Sequence, residues 1–148
     1  MSAWRIVGNR VVRLTSDQEI ETVEKALTLK GPVGTHITTA VGFMSDRKKP
    51  DYRKLIKESI SAVEAMCCII TGKAKATLGE GLSTLENKGI ILHGALKKAF
   101  GNLYGYTSDA EGIRHKLLED PQTDFEDAKF MLVSCAAFVN LLQARLRS

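Results

Sequence analysis

Apolar positions recur at intervals of three and four residues over most of the chain, which is the period of an amphipathic helix. The clearest stripe lies near the C-terminus and consists of Phe125, Ala128, Met131, Leu132, Cys135, Phe138, Val139, Leu142 and Leu146. A second stripe consists of Ile56, Ile60, Val63, Cys67 and Ile70. The two stripes predict long helices near 52–71 and 124–147, which pack against each other and against a third helix near 93–106.

Four short motifs indicate where helices begin. In each motif a Ser or Thr is followed three residues later by Glu, the pattern of a capping box in which the two side chains bind each other's backbone N–H groups. The motifs are Ser16–Glu19, Thr77–Glu80, Ser108–Glu111 and Thr123–Glu126. They predict four helix starts, and a weaker pattern predicts one more helix from about 33 to 44.

Only the first residues depart from the helical period. Trp4–Val7 and Arg10–Leu14 are rich in β-branched residues and flank Gly8-Asn9, a two-residue link that suits a β-hairpin. A ribbon this short is not stable alone, so we expect it to pack on the helical body or on a partner chain. The prediction is therefore an all-α protein, in which a hairpin arm at residues 1–14 precedes a single compact helical-bundle domain at residues 15–148.

Composition and charge narrow the class of protein. The 148 residues suit one soluble domain, and the net charge of +4 is a mild bias compatible with an RNA partner. No apolar run approaches the ~18 residues of a membrane span, and the first residues lack the apolar core of a signal peptide. Adjacent Cys67 and Cys68 do not suit a disulfide framework. We therefore expect a cytoplasmic protein with reduced, buried thiols and no membrane contact.

The densest set of chemically useful side chains lies in residues 104–115, where Tyr104 leads towards the adjacent pair Arg114 and His115. The planar guanidinium of arginine suits phosphate, and histidine can transfer a proton near neutral pH, as cleavage of RNA at a 2′-hydroxyl requires. A structural role is the alternative, with His115 as a packing residue and Arg114 paired with one of three acidic residues, Glu58, Glu64 or Asp109.

The remaining histidines indicate no metal site. His36 and His93 have no acidic or cysteine neighbours at ligand spacing, so we predict that both are surface or helix-end residues. The sequence contains no H-x-x-x-H, no C-x-x-C and no EF-hand pattern, and it contains no glycine-rich phosphate loop. We expect neither a metal nor a cofactor.

Six ordered blocks carry a resemblance to a known family: 57–65, 71–73, 92–97, 103–109, 112–115 and 128–135. They include the segments KESISAVEA, LYGYTSD, GIRH and AKFMLVSC. Over residues 50–147 the chain resembles the C-terminal helical domain of AbiJ-type bacterial abortive-infection proteins. That domain is similar to the HEPN superfamily of helical bundles, many of which are ribonucleases of phage-defence and toxin systems.

The resemblance implies an HEPN-like domain in antiphage defence that acts on RNA as a metal-independent endoribonuclease and pairs as a symmetric homodimer. It implies that Arg114 holds the scissile phosphate and that His115 is the general acid or base. Supporting roles fall to Glu58, Glu64, Asp109 and Tyr104, and Lys97 and Lys98 would attract the RNA backbone.

One feature of the HEPN nucleases is absent from this sequence. They place a His four to six residues after an Arg, whereas Arg114 and His115 are adjacent. The alternative function is a non-catalytic dimerisation or protein-interaction module of the same family, whose partner would be an antitoxin or sensor protein. A nucleotide-sensing domain is a third and weaker candidate, because no phosphate loop is evident.

Overall fold

The computed structural model describes residues 5–12, 16–46, 48–108 and 121–147. They form a hairpin of two antiparallel strands and six helices: β1 (Arg5–Val7), β2 (Arg10–Val12), α1 (Asp17–Leu27), α2 (Pro32–Ser45), α3 (Tyr52–Thr71), α4 (Leu78–Asn87), α5 (Gly94–Ser108) and α6 (Pro121–Arg147). The predicted class, an all-α bundle with a short N-terminal hairpin, is confirmed.

Two of the four predicted capping boxes open helices as expected. The Ser16 hydroxyl accepts the Glu19 N–H at 3.4 Å to begin α1, and the Thr77 hydroxyl accepts the Glu80 N–H at 3.1 Å to begin α4. The prediction that Thr123 opens the last helix is wrong. That helix begins at Pro121, where the fixed φ of proline and its missing N–H suit the first turn.

The third predicted box falls at the edge of the described chain. Ser108 is the last residue of α5, which ends two residues beyond the helix predicted near 93–106. The helix predicted from Ser108 onward falls on residues 109–120 and so lies outside the described residues.

The core forms around α3, which packs most extensively against α2 and α6. All but the last of the stripe residues predicted for α6 are buried, and in the α3 stripe Ile60 alone is only partly buried. The expected contact between α3 and the helix near 93–106 exists but is small. Instead, α5 is joined to α6 by Phe100 and Phe138, whose stacked rings lie 3.9 Å apart. The most extensive contact of α3 is with α2, the helix that the sequence predicted most weakly.

The hairpin lies against α1 and α2, as expected for a ribbon too short to stand alone. Ile6 pairs with Val11 across the two strands, and Val7 is fully buried. Gly8 takes a positive φ of 61° in the turn, a conformation that costs glycine little because it has no Cβ. None of the described helices combines the length and apolarity needed to cross a bilayer.

Two of the three cysteines belong to this core. Cys67 and Cys135 are buried, and burial raises the pKa of each thiol to about 12. Cys68 is only partly buried, and its thiol lies 3.6 Å from the Ala74 carbonyl oxygen. The prediction of buried thiols therefore holds for two residues, while the third faces the groove described next.

Candidate functional site: a polar groove along α3

An open groove of about 1020 Å³ runs between the start of α2, the C-terminal half of α3 and the link from α3 to α4. We call it the α3 groove. Its polar lining consists of His36, Ser61, Glu64, Cys68, Lys73, Lys75, Thr77 and Glu80. Residues 61, 64 and 68 share one face of α3 because they are three and four positions apart. The chain leaves α3 at Gly72, whose positive φ of 73° ends the helix and directs the link along the groove.

A histidine–carboxylate pair lies at the α2 side of the groove. His36 Nδ1 is 2.6 Å from Glu58 Oε2, and the two side chains are 34% and 26% exposed. Both residues border buried faces, His36 beside Val33 and Ile37 of α2 and Glu58 beside Leu55 of α3. The prediction that His36 is an isolated surface or helix-end residue is therefore wrong. His93 does lie at a helix end, where its Nδ1 accepts the Ala95 N–H at 3.1 Å.

A second pair joins α3 to α5. Burial, then the negative charge of Glu64 and a hydrogen bond with its carboxylate, raise the pKa of Tyr104 above its ordinary value. Among the described residues, the partner of Glu64 is thus a phenol. The contact brings together two residues that were predicted to have supporting roles.

The link between α3 and α4 supplies the cations of the groove. Lys73 donates to Glu80 at 2.8 Å, and this hydrogen bond is the main reason that the pKa of Glu80 is lowered. Lys75 is exposed and forms no ion pair with any residue that the structure describes. Neither Lys73 nor Lys75 was predicted from the sequence as a site residue. The sequence did indicate where the link that carries them ends, because the Thr77–Glu80 capping box predicts the start of α4.

The two lysines predicted to bind RNA lie on α5, outside the α3 groove. Lys97 forms an ion pair with Glu86 of α4, while Lys98 is exposed. Both line a separate, shallower cleft between α4 and α5, which also contacts Tyr104. Glu86 already balances the charge of Lys97, so Lys98 is the freer of the two for an anionic partner.

The remaining predicted site residues, Asp109, Arg114 and His115, lie outside the described residues. Tyr104 lies in the last turns of α5, and this described stretch of the chain stops at the end of that helix. Of the predicted set, the structure places Glu58 and Glu64 on α3 and Tyr104 on α5 against Glu64, with Lys97 and Lys98 at the neighbouring cleft.

The groove is suited to proton transfer. It combines a histidine held by a carboxylate, a carboxylate held by a phenol, and lysines that can meet an anion. Within the described ranges, no group of three or more His, Cys, Asp or Glu side chains is arranged to hold a metal ion.

Comparison of the chain with known protein families, curated proteins and solved structures gives no match. The fold and the groove together define the class of protein as a helical bundle with a polar groove whose side chains suit proton transfer.

Proposed function

We propose that the chain is a cytoplasmic, HEPN-like domain of the abortive-infection type, which binds an RNA strand in the α3 groove and cleaves it without a metal ion. The observation that supports the proposal most is the contact between Glu64 and Tyr104. These residues come from two separate sequence blocks of the family resemblance, and they meet where Glu64 lines the groove. Two blocks that resemble a ribonuclease family and meet at a residue of the polar groove favour a site over a purely structural role.

In the proposed reaction the 2′-hydroxyl of RNA attacks the adjacent phosphorus, and the bond to the 5′-oxygen breaks. The products are a 2′,3′-cyclic phosphate and a 5′-hydroxyl. Arg114 binds the scissile phosphate through its planar guanidinium, and His115 transfers a proton. Such a reaction needs charge neutralisation and proton transfer, both of which side chains can supply without a metal.

The test is cleavage of end-labelled RNA by the purified protein in the presence of EDTA, beside an Arg114→Ala/His115→Ala variant. We expect the double variant to lose at least about 100-fold in rate, the usual contribution of a general acid or base, with an unchanged melting temperature. Lys48→Ala/Lys49→Ala is a matched control, because it removes two exposed cations at the opposite end of α2. Absence of cleavage by the wild-type protein across total RNA and tRNA would refute the proposed function.

A non-catalytic dimerisation or interaction module is the second candidate. Four large apolar side chains are more than half exposed: Ile6, Ile69, Ile91 and Phe130. Phe130 is the clearest because it lies within the longest helix, α6. Sedimentation of the wild type and of Phe130→Glu tests this function. A wild-type dimer that becomes a folded monomer in the variant, with no RNA cleavage by either protein, would favour the module and leave an antitoxin or sensor protein as the partner to be found.

A further inference from the structure

The His36–Glu58 pair has the geometry of an oriented acid–base group. Glu58 accepts from Nδ1 at 2.6 Å, which leaves Nε2 as the nitrogen available to a ligand. Nε2 has no hydrogen-bond partner among the residues that the structure describes. His36 lines the α3 groove and Glu58 does not, so the carboxylate holds the ring from beside the groove.

The pair is also held rigidly. Val33 and Ile37 are fully buried on α2 next to His36, and Leu55 and Ala62 are fully buried on α3 next to Glu58. Because α2 and α3 share the largest helix–helix contact of the bundle, the core fixes the backbone positions from which the two side chains meet. A group on a rigid scaffold is pre-organised for proton transfer.

We propose that His36, positioned by Glu58, is a general base of the α3 groove that accepts the proton of an RNA 2′-hydroxyl. The inference rests on the proposed function, and it adds a residue from α2 that lies outside the range of the family resemblance. A carboxylate on Nδ1 fixes the tautomer with the proton on that nitrogen and the lone pair on Nε2, and it stabilises the imidazolium that forms when Nε2 takes a proton. Glu58 is a positioning residue because it acts only through the ring.

The proton balance of the step is complete. The 2′-oxygen forms its bond to phosphorus as its proton passes to His36 Nε2, and the bond between phosphorus and the 5′-oxygen breaks. The leaving 5′-oxygen takes a proton from water. His36 then returns its proton to solvent, and the product carries a cyclic phosphate.

Glu58 is the charged group in contact with the His36 ring among the described residues. Four other charged residues line the same groove, namely Glu64 of α3, Lys73 and Lys75 of the link and Glu80 of α4, while α2 itself carries no other charge. Lys73 is engaged with Glu80, so Lys75 is the cation best placed to meet a phosphate of the bound strand.

The experiment measures kcat and KM for RNA cleavage from pH 5 to 9 in the wild type, His36→Ala, Glu58→Gln and His93→Ala. We expect His36→Ala to lower kcat by about 100-fold or more with little change in KM, and to abolish the rise in rate between acid and neutral pH. Added imidazole should restore part of the lost rate. Glu58→Gln should lower kcat by about tenfold, as is usual when the partner that orients a histidine is lost. His93→Ala, which removes a histidine from a helix end away from the groove, should match the wild type.

The outcomes separate this proposal from the proposed function. Wild-type cleavage that His36→Ala preserves within about threefold overturns the role of His36 and leaves the proposed function standing. Absence of cleavage by the wild type overturns both. Loss of activity with a lowered melting temperature, an intact acid limb and no rescue by imidazole assigns His36 a structural role. Should the alanine variant not fold, His36→Gln keeps a donor for Glu58 and is subject to the same rate test.

Discussion

Helix α4 approaches α3 closely at Gly81. This predicts that Gly81→Ala lowers stability, although replacing glycine by alanine usually stabilises a helix. A Cβ at residue 81 would lie 2.7 Å from Cys67 Sγ and 3.0 Å from Cys67 Cβ. Cys67 is 1% exposed on α3, so its side chain has no free space to enter. Alanine in place of glycine favours a helix by about 1 kcal/mol, while overpacking a filled core costs about 1–3 kcal/mol. Since the clash involves a buried atom, we expect a cost in the upper half of this range, so that Gly81→Ala loses a net ~1–2 kcal/mol.

Urea unfolding followed by far-UV circular dichroism measures this loss, and the same helix supplies the control. At Gly79 the nearest atom to an added Cβ is Thr77 Oγ1 at 3.9 Å, an ordinary contact. Gly79→Ala should therefore gain up to about 1 kcal/mol from helix propensity alone. Cys67→Ala in the Gly81→Ala background removes the clashing sulfur. We expect the two substitutions to be coupled by at least about 1 kcal/mol in a double-mutant cycle.

Equal stability of Gly81→Ala and Gly79→Ala would refute this reasoning. It would mean that α4 does not approach α3 at Gly81 as closely as described. The packing of α4 on α3 also affects the groove, because the link that carries Lys73 and Lys75 is fixed at one end by α3 and at the other by α4.

Three further predictions test the fold and the groove. Gly34→Ala should cost about 3 kcal/mol in urea unfolding, because its Cβ would lie 2.0 Å from the Leu29 carbonyl oxygen and a backbone atom cannot move aside. Stability should fall as pH rises from about 9 towards 12, since burial raises the pKa of Cys135 from 9.0 to about 12 and that of Cys67 likewise. Each protonated thiol makes its full contribution to stability below the pKa of the unfolded state, and this contribution is lost as pH rises through the pKa of the folded state. Urea midpoints measured across this pH range should therefore fall less steeply in Cys135→Ala than in the wild type. A maleimide should label Cys68 in the native protein well before the other two thiols, and a 2′-deoxy analogue of the substrate bound in the groove should slow that labelling, as mass spectrometry would show.

The helices of this chain were largely predictable because their signals are local. A capping box needs only four residues, and an amphipathic stripe such as that of α6 repeats its information over many turns. The ends of elements were less predictable. The first helix stops at Leu27, before the Gly31-Pro32 signal, and α6 begins at Pro121 rather than Thr123. Competing local signals lie within a few residues there, and packing decides between them.

Helix α2 shows what local propensity misses. Its threonines and Gly42 disfavour an isolated helix, yet six of its residues are buried: Val33, Gly34, Ile37, Ala40, Val41 and Met44. Most helical stability in a protein comes from the packing of an apolar face, and this helix makes the most extensive contact with α3. Its weak sequence signal therefore says little about its place in the fold.

The site was predictable only where its residues lie close in the chain or carry a family pattern. Glu58 and Glu64 were named from α3, and both contribute to pairs at the groove. His36 was missed because its partner lies on the next helix, 22 residues along the chain. A weak signal existed, since both residues border apolar stripes at similar distances from the link between α2 and α3. Antiparallel neighbours joined by a short link bring such positions together.

The partners of Glu58 and Glu64 also bear on the two roles considered for Arg114. The structural alternative needs a carboxylate that depends on the arginine for its charge balance. Glu58 already has His36, and Glu64 already has Tyr104. An arginine bound to the second oxygen of either carboxylate would leave that carboxylate hydrogen-bonded after its removal, so its loss would cost only about 1 kcal/mol of stability rather than the several typical of an orphaned buried charge. For an Arg114 that pairs with Glu58 or Glu64, Arg114→Ala should therefore change activity far more than stability. A large stability loss would restore the structural role, with Asp109 as the remaining carboxylate.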